Sequence, residues 1–100
     1  MNKLEQIEQK ILKAIQRKCD QSYFAEVAFD RVRHGGLFGN RHIVDSVDNI
    51  KVRVHPLGCV SRLTADVGVQ IPDENKRGEG KLVYSFSVAT RKYSVKVEVK

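Results

Sequence analysis

The stretch Cys59-Val60-Ser61-Arg62-Leu63-Thr64-Ala65-Asp66-Val67-Gly68-Val69-Gln70-Ile71 decides the fold. Cys59, Leu63, Ala65, Val67, Val69 and Ile71 share one parity, and Arg62, Thr64, Asp66 and Gln70 share the other. Successive side chains of a strand point to opposite faces, so the pattern describes a strand with one face in a core and the other in water. Its neighbours repeat it. Upstream, Ile50, Val52 and Val54 alternate with Lys51, Arg53 and His55; downstream, Leu82, Tyr84, Phe86 and Val88 are followed by Tyr93, Val95, Val97 and Val99. Such runs in succession predict an antiparallel meander.

The turns set the expected registers. Facing residues of an antiparallel pair keep a constant index sum and share a sheet face. His55-Pro56-Leu57-Gly58, a turn with Pro at its second position, predicts a sum of 113, with Val54 opposite Cys59 and Ile50 opposite Leu63. Thr90-Arg91 as a two-residue loop predicts a sum of 181, with Val88 opposite Tyr93 and Phe86 opposite Val95. Residues 72–80 read as a polar loop. Tyr23 to Phe29 is apolar at every odd position and reads as a further strand. Pairing it with the Ile50 strand at a sum of 77 folds residues 31–46 into a projecting hairpin arm.

Residues 3–19 carry the other period. Leu4, Ile7, Ile11, Ile15 and Cys19 recur at spacings of three and four, which predicts an amphipathic helix. Asn2 is positioned as its N-cap, and Arg17 and Lys18 suit the negative end of the helix dipole. The polar face mixes acids with bases and has no Trp or Phe anchor, so the apolar stripe is expected to pack on the sheet rather than on a membrane. The expected architecture is α+β: residues 1–100 as a single domain, with the N-terminal helix on one face of a four- to five-stranded antiparallel meander and the arm around residues 31–46 projecting from it.

Composition bounds the function. The chain has 18 Lys and Arg against 12 Asp and Glu, a net charge of +6, and 41% hydrophobic residues. Apolar residues spread along the chain argue against disorder. No apolar run approaches the ~20 residues needed to cross a bilayer, and the first residues lack the apolar region of an export signal. These features predict a cytoplasmic protein without a membrane partner, in the host cytoplasm or virion if the source is viral. Cys19 and Cys59 are too few for a disulfide framework and sit in apolar phase, so two buried thiols are expected.

Catalytic chemistry finds no foothold. Gly35-Gly36-Leu37-Phe38-Gly39 lacks the P-loop spacing, and no GxSxG elbow is present. His34 and His42 supply two imidazoles where zinc needs three or four ligands. Asp45 and Asp48 read as turn and strand-end acids bonded to local backbone. No enzyme activity, cofactor, metal or small-molecule substrate is therefore expected.

The segment Arg31 to His42 stands out, with three arginines, two histidines, three glycines and no acid. Arginine forks suit phosphate, glycines permit close backbone approach, and an apolar pair at a tip can enter a partner's pocket. The expected function is a small non-enzymatic basic module that binds an anionic partner, nucleic acid foremost. Its arm site is Arg31, Arg33, His34, Leu37, Phe38, Arg41 and His42, and its basic sheet face is Lys51, Arg53, Arg62, Lys92 and Lys96. The plainer reading is a loop tucked on the core edge and lysines that guard an edge strand. The alternative is self-association as an assembly or structural subunit whose arm contacts neighbouring protein subunits. The layout of a short N-terminal helix before an antiparallel sheet resembles small tail and connector proteins of bacteriophages. That resemblance implies assembly and assigns no residue.

Overall fold

The computed structural model of the chain describes residues 2–37, 43–71 and 74–100. Helices α1 (Lys3–Lys18) and α2 (Ser22–Val32) are followed by a π-helical turn, Arg33–Leu37. Then come strands β1 (Ile43–Val54), β2 (Val60–Ile71), β3 (Lys76–Ser87) and β4 (Lys92–Val99). The sheet order is β1-β2-β3-β4, every pair antiparallel. Both helices pack on one face of this sheet, so the fold is α+β.

α1 forms as its sequence dictates. Asn2 Oδ1 accepts a hydrogen bond from the Glu5 backbone N–H at 2.8 Å, and Ile7, Ile11 and Ile15 are buried. They meet Val44, Val47, Leu63, Leu82 and Tyr84 in one hydrophobic core.

Residues 22–32 form a helix rather than the expected strand. Ala25, Ala28 and Val32, spaced by three and four, are each at most 1% exposed. Alanine is the best helix former, and its small side chain lets a helix approach the sheet closely. The aromatic residues favour a strand in isolation, but packing of the 25-28-32 stripe overrides that preference. No fifth strand is present among the described residues, and the pairing at a sum of 77 does not form. The described parts of the expected arm do not form a hairpin: Arg31 and Val32 end α2, Arg33–Leu37 is the π-helical turn, and Ile43 onward belongs to β1, while residues 38–42 lie outside the described residues.

Registers mostly keep the predicted faces and move along the strands; the exception is the end of β1, where Val54 meets Val60 rather than Cys59, a one-residue slip that turns Val60 inward. β3 and β4 pair at a sum of 179, with Phe86 opposite Tyr93 and Tyr84 opposite Val95. A loop longer than two residues causes the shift: Arg91 N–H donates to the Ser87 carbonyl at 2.8 Å, with Arg91 at φ 58°. β1 and β2 match Val52 with Leu63 instead of Ser61, through register shifts at Val44/Ser46, Asp48/Lys51 and Arg53/Val54. The turn at His55 forms as expected, with the Gly58 N–H on the His55 carbonyl at 2.7 Å. The expected loop at 72–80 is shorter, because β3 begins at Lys76. Gly78 and Gly80 occupy the inward positions opposite Val69 and Val67, where their lack of a side chain conceals the alternation. A Cβ on Gly80 would collide with the Glu98 carbonyl, so β4 lies too close there for any other residue. No described helix is long and apolar enough to cross a membrane.

Candidate functional site

The ladder arranges the outward side chains in rows. Arg53, Arg62, Ser85 and Ser94 form one row, and Lys51, Thr64, Val83 and Lys96 form the next. Lys92, opposite Ser87, extends them toward the turn. Lys51, Arg53, Arg62, Lys92 and Lys96 are all exposed, and no acidic residue stands in these rows. The five residues expected on a basic sheet face thus converge on one end of the face opposite the helices.

The acids begin one row further on. Asp48, Asp66, Lys81 and Glu98 form the adjoining row. A hydrogen bond from Asn49 Nδ2, 2.9 Å away, is the main reason the Asp66 carboxyl lies below the usual range; Lys81, Lys100 and Lys51 add to it. Lys10 Nζ pairs with Asp48 at 3.1 Å. The face is therefore polarised, basic toward the His55 and Arg91 turns and mixed toward the other end. Lys81 belongs to the same surface, and its odd parity with Val83 and Ser85 could have assigned it there.

The described arm residues, Arg31, Arg33, His34 and Leu37, are not brought together as a projecting site. The Arg31 guanidinium lies 4.8 Å from the Phe86 ring centroid and 4.5 Å from that of Tyr93, and its Nη1 donates to Tyr84 Oη at 3.1 Å. It is a structural cation wedged on the inner face. Arg33 Nε lies 3.6 Å from Glu8 Oε2 on α1. Leu37 is buried, while His34 is exposed on the π-helical turn. Gly35 and Gly36 do permit a close approach, but to the protein's own sheet: Cβ atoms there would stand 2.8 Å from Val95 and 2.6 Å from Leu82. Phe38, Arg41 and His42 lie outside the described residues.

Two further expectations resolve differently. Asp45 is not a solvated strand-end acid: it is 7% exposed and bound by Arg77. Cys19 and Cys59 are buried free thiols, as their phase predicts. A cleft of about 130 Å³ opens between α2 and the sheet, lined in part by Phe24, Val27, Cys59 and Phe86. The ionised group in its lining, Arg31, is already engaged by Tyr84 and two rings. Burial pushes the Tyr84 phenol above its ordinary pKa, with the Arg31 hydrogen bond pulling the other way.

No protein-family model matches the sequence, and no curated protein and no solved structure is similar enough to it to count as a match.

Proposed function

We propose that the chain is a small non-enzymatic binding module that holds an anionic polymer, nucleic acid, against the basic half of its open sheet face. The observation that supports this reading is the convergence of Lys51, Arg53, Arg62, Lys92 and Lys96 in acid-free rows on the face without helices. Strand spacing puts Lys51 and Lys96, three strands apart, at about 14 Å. Duplex DNA carries one charge per ~1.7 Å of axis, so several phosphates fall within that span. Arg53 and Arg62 face each other across β1 and β2, two guanidinium forks aimed at one region. Such a pair repels itself unless an anion lies between. The Thr64, Ser85 and Ser94 hydroxyls between the cations add neutral donors.

Arg31 and Arg33 contribute little to this reading, since both have partners within the fold. The test is fluorescence anisotropy with labelled duplex and single-stranded oligonucleotides across a salt series. Replacing Lys51, Arg53, Arg62 and Lys96 with alanine should lower the slope of log K against log salt by about 0.9 per lost duplex contact. Arg31→Ala should leave that slope unchanged. A wild-type chain that binds neither oligonucleotide at low salt, or a quadruple variant with the wild-type slope, removes the reading.

A further inference from the structure

The two edges of the sheet are finished differently. β1 carries three register shifts, and Lys10 Nζ occupies the Val47 carbonyl at 2.9 Å. Bulges and lysines are common means of keeping an edge strand from pairing. β4 also carries lysines, Lys92 and Lys96, but no bulge: its index sum with β3 is constant from Lys92 to Val99, and it contains no proline.

The direction of its free backbone groups follows from one bond. Lys100 N–H donates to the Glu79 carbonyl at 2.9 Å, which makes Lys100 and Glu79 a hydrogen-bonded pair. Alternation along an antiparallel ladder then bonds Lys92, Ser94, Lys96 and Glu98 to β3. It turns the N–H and C=O groups of Tyr93, Val95, Val97 and Val99 outward, and no described residue bonds to them. The side chains of the same four residues lie on the inner face. Tyr93 is 53% exposed and the three valines are half-buried. An open row of donors and acceptors therefore runs beside an apolar strip.

We propose that β4 pairs antiparallel with β4 of a second copy about a two-fold axis at Val97, joining two sheets into one of eight strands. Charge selects this register. Centred on Val97, Lys96 of each copy faces Glu98 of the other, in the closer non-hydrogen-bonded pairs. The four charges then alternate in sign in both directions. Val95 faces Val99, a β-branched pair on the inner side. Moving the axis to Lys96 would set lysine against lysine. Moving it to Val95 would centre it on the residue that Gly35 and Gly36 cover, where the two π-helical turns would meet. The Val97 register meets both conditions. Because the axis is perpendicular to the sheet, both basic halves stay on the same side. The inference does not rest on the proposed function; together they describe a divalent binding face.

Sedimentation equilibrium of the 100-residue chain, without nucleic acid, tests it. The chain should be a dimer. Lys96→Glu and Glu98→Lys should each weaken it roughly tenfold or more by creating two like-charge pairs, and the double variant should restore it. These exposed changes leave the fold intact, which circular dichroism checks. Val97→Cys should cross-link two copies on mild oxidation, since hydrogen-bonded partners lie ~5.5 Å apart at Cα, within disulfide reach. Val95→Cys should not. A chain that stays monomeric at about millimolar concentration, or a dimer indifferent to both charge reversals, overturns the proposal. With nucleic acid absent, that failure leaves the proposed function standing, and failure to bind oligonucleotides leaves the dimer standing.

Discussion

Arg77 closes on Asp45 through two parallel hydrogen bonds, Nε to Oδ2 at 2.8 Å and Nη2 to Oδ1 at 2.9 Å. The pair joins β3 to β1 across the intervening β2. Gly68 of β2 makes room for it, since a Cβ there would stand 2.6 Å from Arg77 Nη2 and 2.7 Å from Asp45 Oδ1. The Gly68 N–H also donates to Ser46 Oγ at 3.1 Å. A fork-to-fork pair of this kind fixes orientation as well as adding energy.

This pair makes stability depend on acid. The Arg77 hydrogen bonds hold the Asp45 carboxyl below the usual range against the opposing effect of burial. A carboxyl whose pKa is lower in the folded state stabilises the fold above its unfolded value, ordinarily 3.8, and that contribution disappears as pH falls through the folded value. Arg77 is 60% exposed, so solvent screening keeps the effect modest. Melting midpoints measured from pH 7 to pH 2 should decline more steeply for wild type than for Asp45→Asn. Parallel curves would show that the pair does not couple folding to protonation.

Gly80 and Gly78 should respond in opposite ways to alanine. At Gly80 the new methyl would meet the Glu98 carbonyl and the Val99 Cα, which are backbone and cannot swing aside. Gly80→Ala should therefore destabilise by about 1–3 kcal/mol, as overpacking does. At Gly78 the nearest atoms are 3.6 Å away or more, in ordinary contact. Gly78→Ala should be neutral or stabilise by up to ~1 kcal/mol through a less flexible unfolded chain. Denaturant midpoints of the two variants decide it.

The core is centred on Leu82 and Tyr84 rather than further along β3. Leu82 is fully buried, while Phe86 is only partly covered. Leu82→Ala should cost about 2–5 kcal/mol, the range for deleting a buried aliphatic side chain. Phe86→Ala should cost less than a fully buried aromatic would, and part of its effect should come from releasing Arg31. Equal urea midpoints for Leu82→Ala and wild type would contradict the observed burial.

Arg31 should matter to stability and not to anion binding. Removing it loses a hydrogen bond to Tyr84 and contacts with two aromatic faces. Arg31→Ala should destabilise by about 1–2 kcal/mol. Tyr84→Phe removes the hydrogen bond alone and should cost about 1 kcal/mol. In a double-mutant cycle the two effects should be less than additive, because both delete the same bond. Strict additivity would mean that the bond contributes nothing measurable.

The sequence alone determined the central parts of the four strands and the faces of most of their residues. Alternation of period two assigns β4 and β2 from Ser61 onward to their sides, so the basic face around Lys51, Arg53, Arg62, Lys92 and Lys96 was legible before any register was known, while the bulge that turns Val60 inward was not. A register error of two residues moves side chains along a face without moving them off it, and that is why the β3–β4 prediction missed its partners yet kept its surface. Tertiary structure decided α2 and the fate of Arg31 to Leu37. Residues 22–32 fit both periods, and burial of Ala25, Ala28 and Val32 on the sheet selected the helix. Gly35, Gly36, Arg31 and Arg33, which looked like part of a free arm, took partners far away in sequence: Val95 and Leu82 for the two glycines, Phe86, Tyr93, Tyr84 and Glu8 for the two arginines. A local pattern fixes which way a side chain points along its own element, but what meets it there depends on how the chain returns, and no local period encodes that.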